Sequence, residues 1–422
     1  MAAVMALALA TELRADDWPQ WRGPNRDAVW RASGLLETFP PEGLKVLWRV
    51  PIGTGFSSPS VVQGRVYVTD SQVTRTNMTE RVHCLDATTG KAIWIHPYDV
   101  VYPEWGADPE HPFGPHATPV VADGKIYTLG RMSDLLCLDA RTGLVLWHNN
   151  LPKQYGTGED LRGFSCSPII EGKLVIVAIA KNPQASMVAF DKETGRQVWE
   201  SLDEIPSNSS PIIITSGGRR QLIVWAYKSV AALDPATGQI LWREPVNTGP
   251  TYTVATPVWQ EDRLLLGGLM LKLSANQPGA SILWPEEPRP MRIHVSDTST
   301  PLLRDGLVFS PTSKGLLLGL DAATGRQLWQ TDQVTELKNG ASIHLTAVPS
   351  LQCVFLHTDR GDLILSRLTA AGYQEISRFH LLDPTQDFGG RKMAWPPPAY
   401  ADRCVFARSD RELVCASLAA GP

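Results

Sequence analysis

No two of the six cysteines are adjacent or spaced as CxxC, so neither a zinc cage nor a thioredoxin-type centre is encoded, and no CxxCH provides a haem attachment. Long apolar runs are also missing. The N-terminal run Ala2–Ala10 falls well short of the roughly twenty residues that span a bilayer, and no later run reaches that length. Charge of one sign is not in excess, with 39 Lys and Arg against 43 Asp and Glu. Interspersed charge offers no basic stripe for a phosphate backbone, which argues against a nucleic-acid partner. No GxSxG, HExxH, P-loop or dinucleotide-binding glycine motif occurs, and the nine histidines suggest no triad.

What the chain has in abundance is one phrase. CLDATTGKAIW, Cys84 to Trp94, returns as CLDARTGLVLW to Trp147, AFDKETGRQVW to Trp199, ALDPATGQILW to Trp242 and GLDAATGRQLW to Trp329. The tryptophan spacing runs from 43 (242−199) to 53 (147−94) residues, with one double interval of 87 (329−242), so the fold is a repeat. Asp86, Asp139, Asp191, Asp234 and Asp321 end a strand and can accept from turn amides. Gly90, Gly143, Gly195, Gly238 and Gly325 take the positive φ of a bulged hairpin. Trp94, Trp147, Trp199, Trp242 and Trp329 are expected to wedge between neighbouring sheets with the indole N–H on a backbone acceptor. These residues are read as architectural.

A second phrase precedes the first: a small or hydroxyl residue, a proline, then two alternating strands across a Gly or Asp turn, as in SSPSVVQGRVYVTD from Ser57 and ATPVVADGKIYTLG from Ala117. Its prolines, Pro59, Pro119, Pro168, Pro211, Pro257, Pro301, Pro349 and Pro398, are expected where the first strand begins, a position that tolerates a missing N–H. Eight such starts, each leading into four antiparallel strands, make an all-β, eight-bladed β-propeller. The eighth start has a third strand, ELVCASL from Glu412, but no fourth, whereas GLKVLWRV from Gly43 is a fourth strand without partners. The N-terminal strand is therefore expected to complete the last blade and remove its open edge. Blade five loses the Asp-Gly phrase before Trp284, and blade seven carries Phe379 in place of the tryptophan.

These phrases resemble the PQQ-like β-propeller repeat found in quinoprotein alcohol dehydrogenases and in the propeller lipoprotein of the outer-membrane barrel assembly machinery. The head DWPQWRGPNRDAV from Asp17 is similar to the start of exported propellers of that group. The dehydrogenase resemblance implies pyrroloquinoline quinone (PQQ) on calcium, a vicinal cysteine pair and a catalytic aspartate. This sequence has no such pair, and none of the family's calcium or base residues is carried over.

Residues 1–15 read as a signal peptide or its remnant, 16–42 as an N-terminal extension and 43–422 as a single propeller. The expected setting is the periplasm or the exterior, as a monomer with no lipid-anchoring cysteine. Cys404 and Cys415 flank a hairpin, and their pairing is left open. Two loops stand out in length, Trp94 to Pro119 (119−94 = 25) and Trp147 to Pro168 (168−147 = 21). Their aromatic and ionisable residues suggest a rim site built from Trp105, His111, His116, Asp160 and Arg162, with no metal. The expectation is a non-catalytic scaffold binding a protein or envelope component. The alternatives are a PQQ- and calcium-dependent dehydrogenase of alcohols or sugars, and a carbohydrate or small-ligand binder.

Overall fold

Short segments with apolar residues on both faces, such as those around Val66–Val68 and Leu135–Leu138, pair only with their sequence neighbours and so build a succession of small sheets. The computed structural model describes residues 16–73, 78–102, 114–156, 165–181, 185–246, 254–287, 296, 298–388 and 390–421. It contains eight four-stranded antiparallel sheets arranged as a propeller. Blade one is Ser60–Val62, Arg65–Val73, Met78–Asp86 and Ala92–Val100. Blade eight joins Ala399–Ala401, Cys404–Arg408 and Glu412–Ser417 to the N-terminal strand Val46–Pro51, with Val50 opposite Leu413 and Trp48 opposite Cys415. The ring closure expected from the two chain ends is thus formed.

The phrase geometry repeats from blade to blade. Asp86 Oδ1 accepts from Thr88 N (3.1 Å), Thr89 N (2.8 Å) and Thr89 Oγ1 (2.8 Å). The same bonds recur at Asp139, Asp191 and Asp321, and they hold all four carboxyls below the usual carboxylate range. Each indole then reaches the next blade. Trp94 Nε1 donates to Ala140 O (3.2 Å), Trp147 to Lys192 O (3.0 Å), Trp199 to Pro235 O (3.2 Å) and Trp284 to Ala322 O (3.0 Å). Trp242 faces blade five, which lacks the phrase, and bonds instead within its own blade to Gln221 Oε1 (2.7 Å).

Glycine has a second role that its φ alone does not reveal. A Cβ on Gly143 would lie 2.6 Å from Trp94 Cδ2, on Gly195 2.8 Å from Trp147 Cδ2, and on Gly325 2.8 Å from Trp284 Cδ2. The indole of one blade therefore rests on the bare backbone of the next. In blade seven the partners change but the contact survives, because Phe379 lies against Gly43, where a Cβ would meet the ring at 2.5 Å.

The inner strands adjoin one another around the axis. Just before them, hydroxyl residues link successive blades: Ser58 N donates to Thr118 Oγ1 (3.1 Å), Thr118 N to Ser167 Oγ (2.9 Å), Ser167 N to Ser210 Oγ (3.0 Å) and Thr256 N to Thr300 Oγ1 (3.0 Å). The Ser/Thr-Pro phrase is thus an inter-blade belt. Blade seven departs from the expectation. Its inner strand is Ile343–Val348, and Pro349 lies after it in the 3-10 turn Pro349–Leu351, so Leu345 holds the proline position and His344 the hydroxyl position. Six strand residues with both faces buried needed no proline to mark their start.

The segment after residue 16 threads the axis. Trp18 exchanges backbone bonds with Val61 (2.7 and 2.8 Å), and Pro19 O accepts from Val121 N (2.9 Å). Trp21 Nε1 donates to Thr256 Oγ1 (2.7 Å) and Arg26 to Pro211 O (2.9 Å), while Trp30 N donates to Ala347 O (2.8 Å). Trp18 also packs edge-on against Tyr400 at 5.6 Å. One segment therefore touches blades one to five, seven and eight and fills the channel below the belt.

Gly195→Ala meets both constraints, a φ of 70° and the Trp147 ring. We expect it to lower stability by about 2 to 4 kcal/mol, read as a shift of the urea midpoint. A loss below about 0.5 kcal/mol would show that the glycine–indole contact is dispensable.

Candidate functional site

Three residues upstream of each proline position, one side chain per blade stands at the channel mouth: Phe56, His116, Ser165, Asn208, Val254, Thr298, Ser342 and Trp395. All but the buried Ser342 are half-buried. One arc is aromatic. Phe56 lies 5.4 Å from Trp395 with the rings inclined at 39°, and 4.6 Å edge-on from His116. Phe388 packs edge-on against Trp395 at 4.8 Å. The opposite arc, Ser165, Asn208, Thr298 and Ser342, is polar but for Val254.

His116 is fixed by its neighbours. Arg131 Nη1 lies 2.7 Å from Nε2, and Ser165 Oγ lies 3.0 Å from Nδ1. Arg131 Nη1 also lies 3.1 Å from Nδ1, so the guanidinium faces both ring nitrogens. Burial, with the Arg131 charge adding to it, holds the imidazole well below its usual value, and it is neutral. Arg131 itself is buried and comes from the turn after Lys125–Leu129 in blade two. It is a cation placed beside the aromatic arc.

Two carboxyls complete the surroundings. Glu80, fully buried in blade one, accepts from Tyr98 OH (2.5 Å), Tyr102 OH (2.7 Å) and Arg131 N (3.0 Å). Burial outweighs these bonds and pushes its carboxyl up to about 7. Gly130 leaves room for it, since a Cβ there would fall 2.6 Å from both Glu80 Oε2 and Tyr98 OH. Asp410 lies in the turn between the second and third strands of blade eight and accepts from Gly55 N, next to Phe56. With its amide oriented by the network, Gln386 also donates to Asp410 (3.0 Å to Oδ1). Desolvation raises this carboxyl to about 6 against the pull of Arg408, Arg411 and Lys392. Arg408, fully buried, holds the segment in place by donating to Thr69 O and Gly53 O, each at 2.6 Å.

Of the five rim residues expected from loop length and composition, the structure places His116 in the mouth. Trp105, His111, Asp160 and Arg162 lie outside the described residues, as do residues 1–15. Phe56, Trp395, Arg131, Glu80 and Asp410 were not anticipated. Cys404 and Cys415 are free thiols on paired strands of blade eight, so the pairing left open is not formed. No helix of the described residues is long and apolar enough to cross a membrane.

The propeller has known relatives. A family model described as outer membrane protein assembly factor BamB matches residues 78–289 and 227–372, and the chain belongs to that PQQ-like β-propeller family. Among curated proteins it is similar to the quinoprotein alcohol dehydrogenase PedH of Pseudomonas putida, 28% identical over 32% of this chain and 24% of that one. It is also similar to the quinoprotein ethanol dehydrogenase of Pseudomonas aeruginosa, 27% identical over 36% and 28%. The matches thus span about a quarter of these relatives' length. Among solved structures, the quinohemoprotein alcohol dehydrogenase of Comamonas testosteroni aligns over 99% of this chain and 82% of its own, with a TM-score of 0.68 at 15% identity. BamB of Moraxella catarrhalis aligns over 89% and 99%, with a TM-score of 0.54 at 15% identity. These two likenesses are of fold. The sequence relatives correct the expectation of a non-catalytic scaffold, because the curated proteins matched are quinoprotein alcohol dehydrogenases.

Among the described residues the mouth suits one of the groups that kinship implies and offers no acidic cluster for the other. A flat, multiply carboxylated quinone matches an aromatic arc beside a buried guanidinium. Calcium requires six to eight oxygen ligands, and among the described residues no group of three His, Cys, Asp or Glu side chains is placed to hold a metal ion.

The folded-state value of Glu80, about 7, lies above the ordinary 4.5, so between those values the native protein keeps a proton that the unfolded chain has released. The Glu80 contribution to stability therefore falls as pH rises through that window, by about 3 kcal/mol in total. Glu80→Gln should remove this contribution from the difference between pH 5 and pH 8, leaving that of Asp410 in the same direction and that of the neutral His116, His344 and His357 in the opposite one below about 6.5. Urea unfolding at pH 5 and pH 8 reads it, and an unchanged difference in the variant would place the titration elsewhere.

Proposed function

We propose that this protein is a quinone-dependent oxidoreductase acting on alcohols, with its site at the channel mouth. The observation that carries the reading is the combination, at one mouth, of an aromatic arc, a buried cation and a carboxyl raised to about 6, in a chain whose curated relatives are quinoprotein alcohol dehydrogenases. Trp395 and Phe56 would hold the plane of the quinone, and Arg131 its carboxylate charge. Once bound, the quinone supplies a two-electron oxidant.

The chain's own residues have separate tasks. Asp410, ionised at neutral pH, accepts the hydroxyl proton of an alcohol at a carboxylate oxygen, and its value near 6 suits proton uptake at pH 7. Gly55 N and Gln386 fix its orientation. Neutral His116 does not compete as base, because burial and the Arg131 guanidinium against both of its ring nitrogens hold it well below its usual value. It keeps the guanidinium in place instead. Export belongs to the same proposal and is supported by the apolar Ala2–Ala10 run.

The test is calorimetric titration with PQQ, with and without calcium, followed by alcohol oxidation with an artificial electron acceptor. We expect saturable binding at micromolar or tighter. Asp410→Asn should retain that binding while losing about 10²- to 10⁴-fold in kcat and the limb of the pH profile near 6. An intact fold that takes up no quinone would end this reading.

A further inference from the structure

Below the belt, and apart from the mouth, the threaded segment carries two guanidinium groups into the axis. Arg22 is 8% exposed and Arg26 3%. Among the described residues their hydrogen bonds go to uncharged oxygens: Arg22 Nε to Arg26 O (3.3 Å), and Arg26 to Gln20 Oε1 (2.9 Å), Pro211 O (2.9 Å), Ser167 O (3.4 Å) and Pro168 O. Arg22 Nη2 is buried with no hydrogen-bond partner. Asp27, the carboxylate acting on Arg22, does so only through space and is ion-paired with Arg31 at 2.7 Å.

Arg22 borders a small, partly open cavity of about 20 Å³ whose wall includes Trp18, Trp21, Thr300, His344 and Pro397. That volume admits one small ion or molecule. Thr300 Oγ1 accepts from Thr256 N and has its own proton left to donate. His344 brings no counter-charge. It is pushed down to about 4, by burial first, and its Nε2 donates to Trp395 O at 2.6 Å. His357 beside it is pushed down to about 3. Burial lowers Arg22 and Arg26 only to about 10, so both remain charged at neutral pH.

We propose that this cavity binds a single small monovalent anion, a halide of chloride or bromide size, on Arg22 Nη2 and the Thr300 hydroxyl. Water would satisfy the orphaned N–H but leave the buried charge uncompensated, which is the costlier defect in a low-dielectric interior. A fixed anion would hold the threaded segment in the ring, independently of any quinone at the mouth.

Crystals of the full chain grown in bromide should show one anomalous peak in this cavity. In solution, replacing gluconate by chloride at constant ionic strength should raise Tm saturably, by about 3 °C at a hundredfold excess over Kd, and Arg22→Met should abolish the rise. An ordered water in place of the bromide peak would overturn the proposal, as would an equal rise in the variant. If Arg22→Met fails to fold, the bromide crystals decide alone, and Thr300→Val should weaken the peak.

Discussion

At most of its blade junctions this ring depends on an indole lying flat on a residue that has no side chain. The contact needs two different residues on two different blades, so neither blade can satisfy it alone, and the stability of each sheet is tied to its neighbour. It also fixes the spacing between blades, because the ring sits 2.6 to 2.8 Å from where a Cβ would be. Blade seven shows that the constraint is geometric rather than chemical. Phenylalanine replaces the indole and loses the N–H bond, yet it still lies against a glycine, Gly43, supplied by the segment that leads into the strand closing the ring.

The axis poses a different problem. Where inner strands begin, backbone N–H groups point across blade boundaries, and the Ser and Thr hydroxyls of the belt satisfy them. The space inside is filled by the N-terminal segment, whose arginines are tolerated because several carbonyls converge on Arg26. With the lower part of the channel occupied, the polar and aromatic residues above the belt form the floor of a one-sided recess. The candidate site is a product of that filling as much as of the blades.

The propeller was legible because its signals are periodic: Asp139, Gly143 and Trp147 recur in register, and one sequence contains its own alignment. Where the period broke, the reading slipped. AVPS from Ala347 imitates a strand start, but the buried strand Ile343–Val348 already precedes it, and Pro349 serves a turn. The site was less legible for the same reason. Phe56, His116 and Trp395 do share a repeat position, three before the proline position, and that signal was available once the repeats were aligned. Arg131 and Asp410 come from turns with no motif, and Glu80 looks like any strand carboxylate until Tyr98, Tyr102 and Arg131 enclose it. Loop length drew attention to Trp105 and Arg162, whereas the described mouth is built by residues close to the strands.

The threaded N-terminal segment has a consequence for how the protein is made. Trp18 and Trp21 leave the ribosome before any blade exists, yet their partners include Thr256 and Tyr400, and Trp48 waits for Cys415. An apolar, arginine-bearing tail must therefore stay unspent through the synthesis of seven blades and then be enclosed as the circle shuts. During that interval the nascent chain carries an open ring and its own stopper as separate pieces, and is the form most in need of a chaperone's protection.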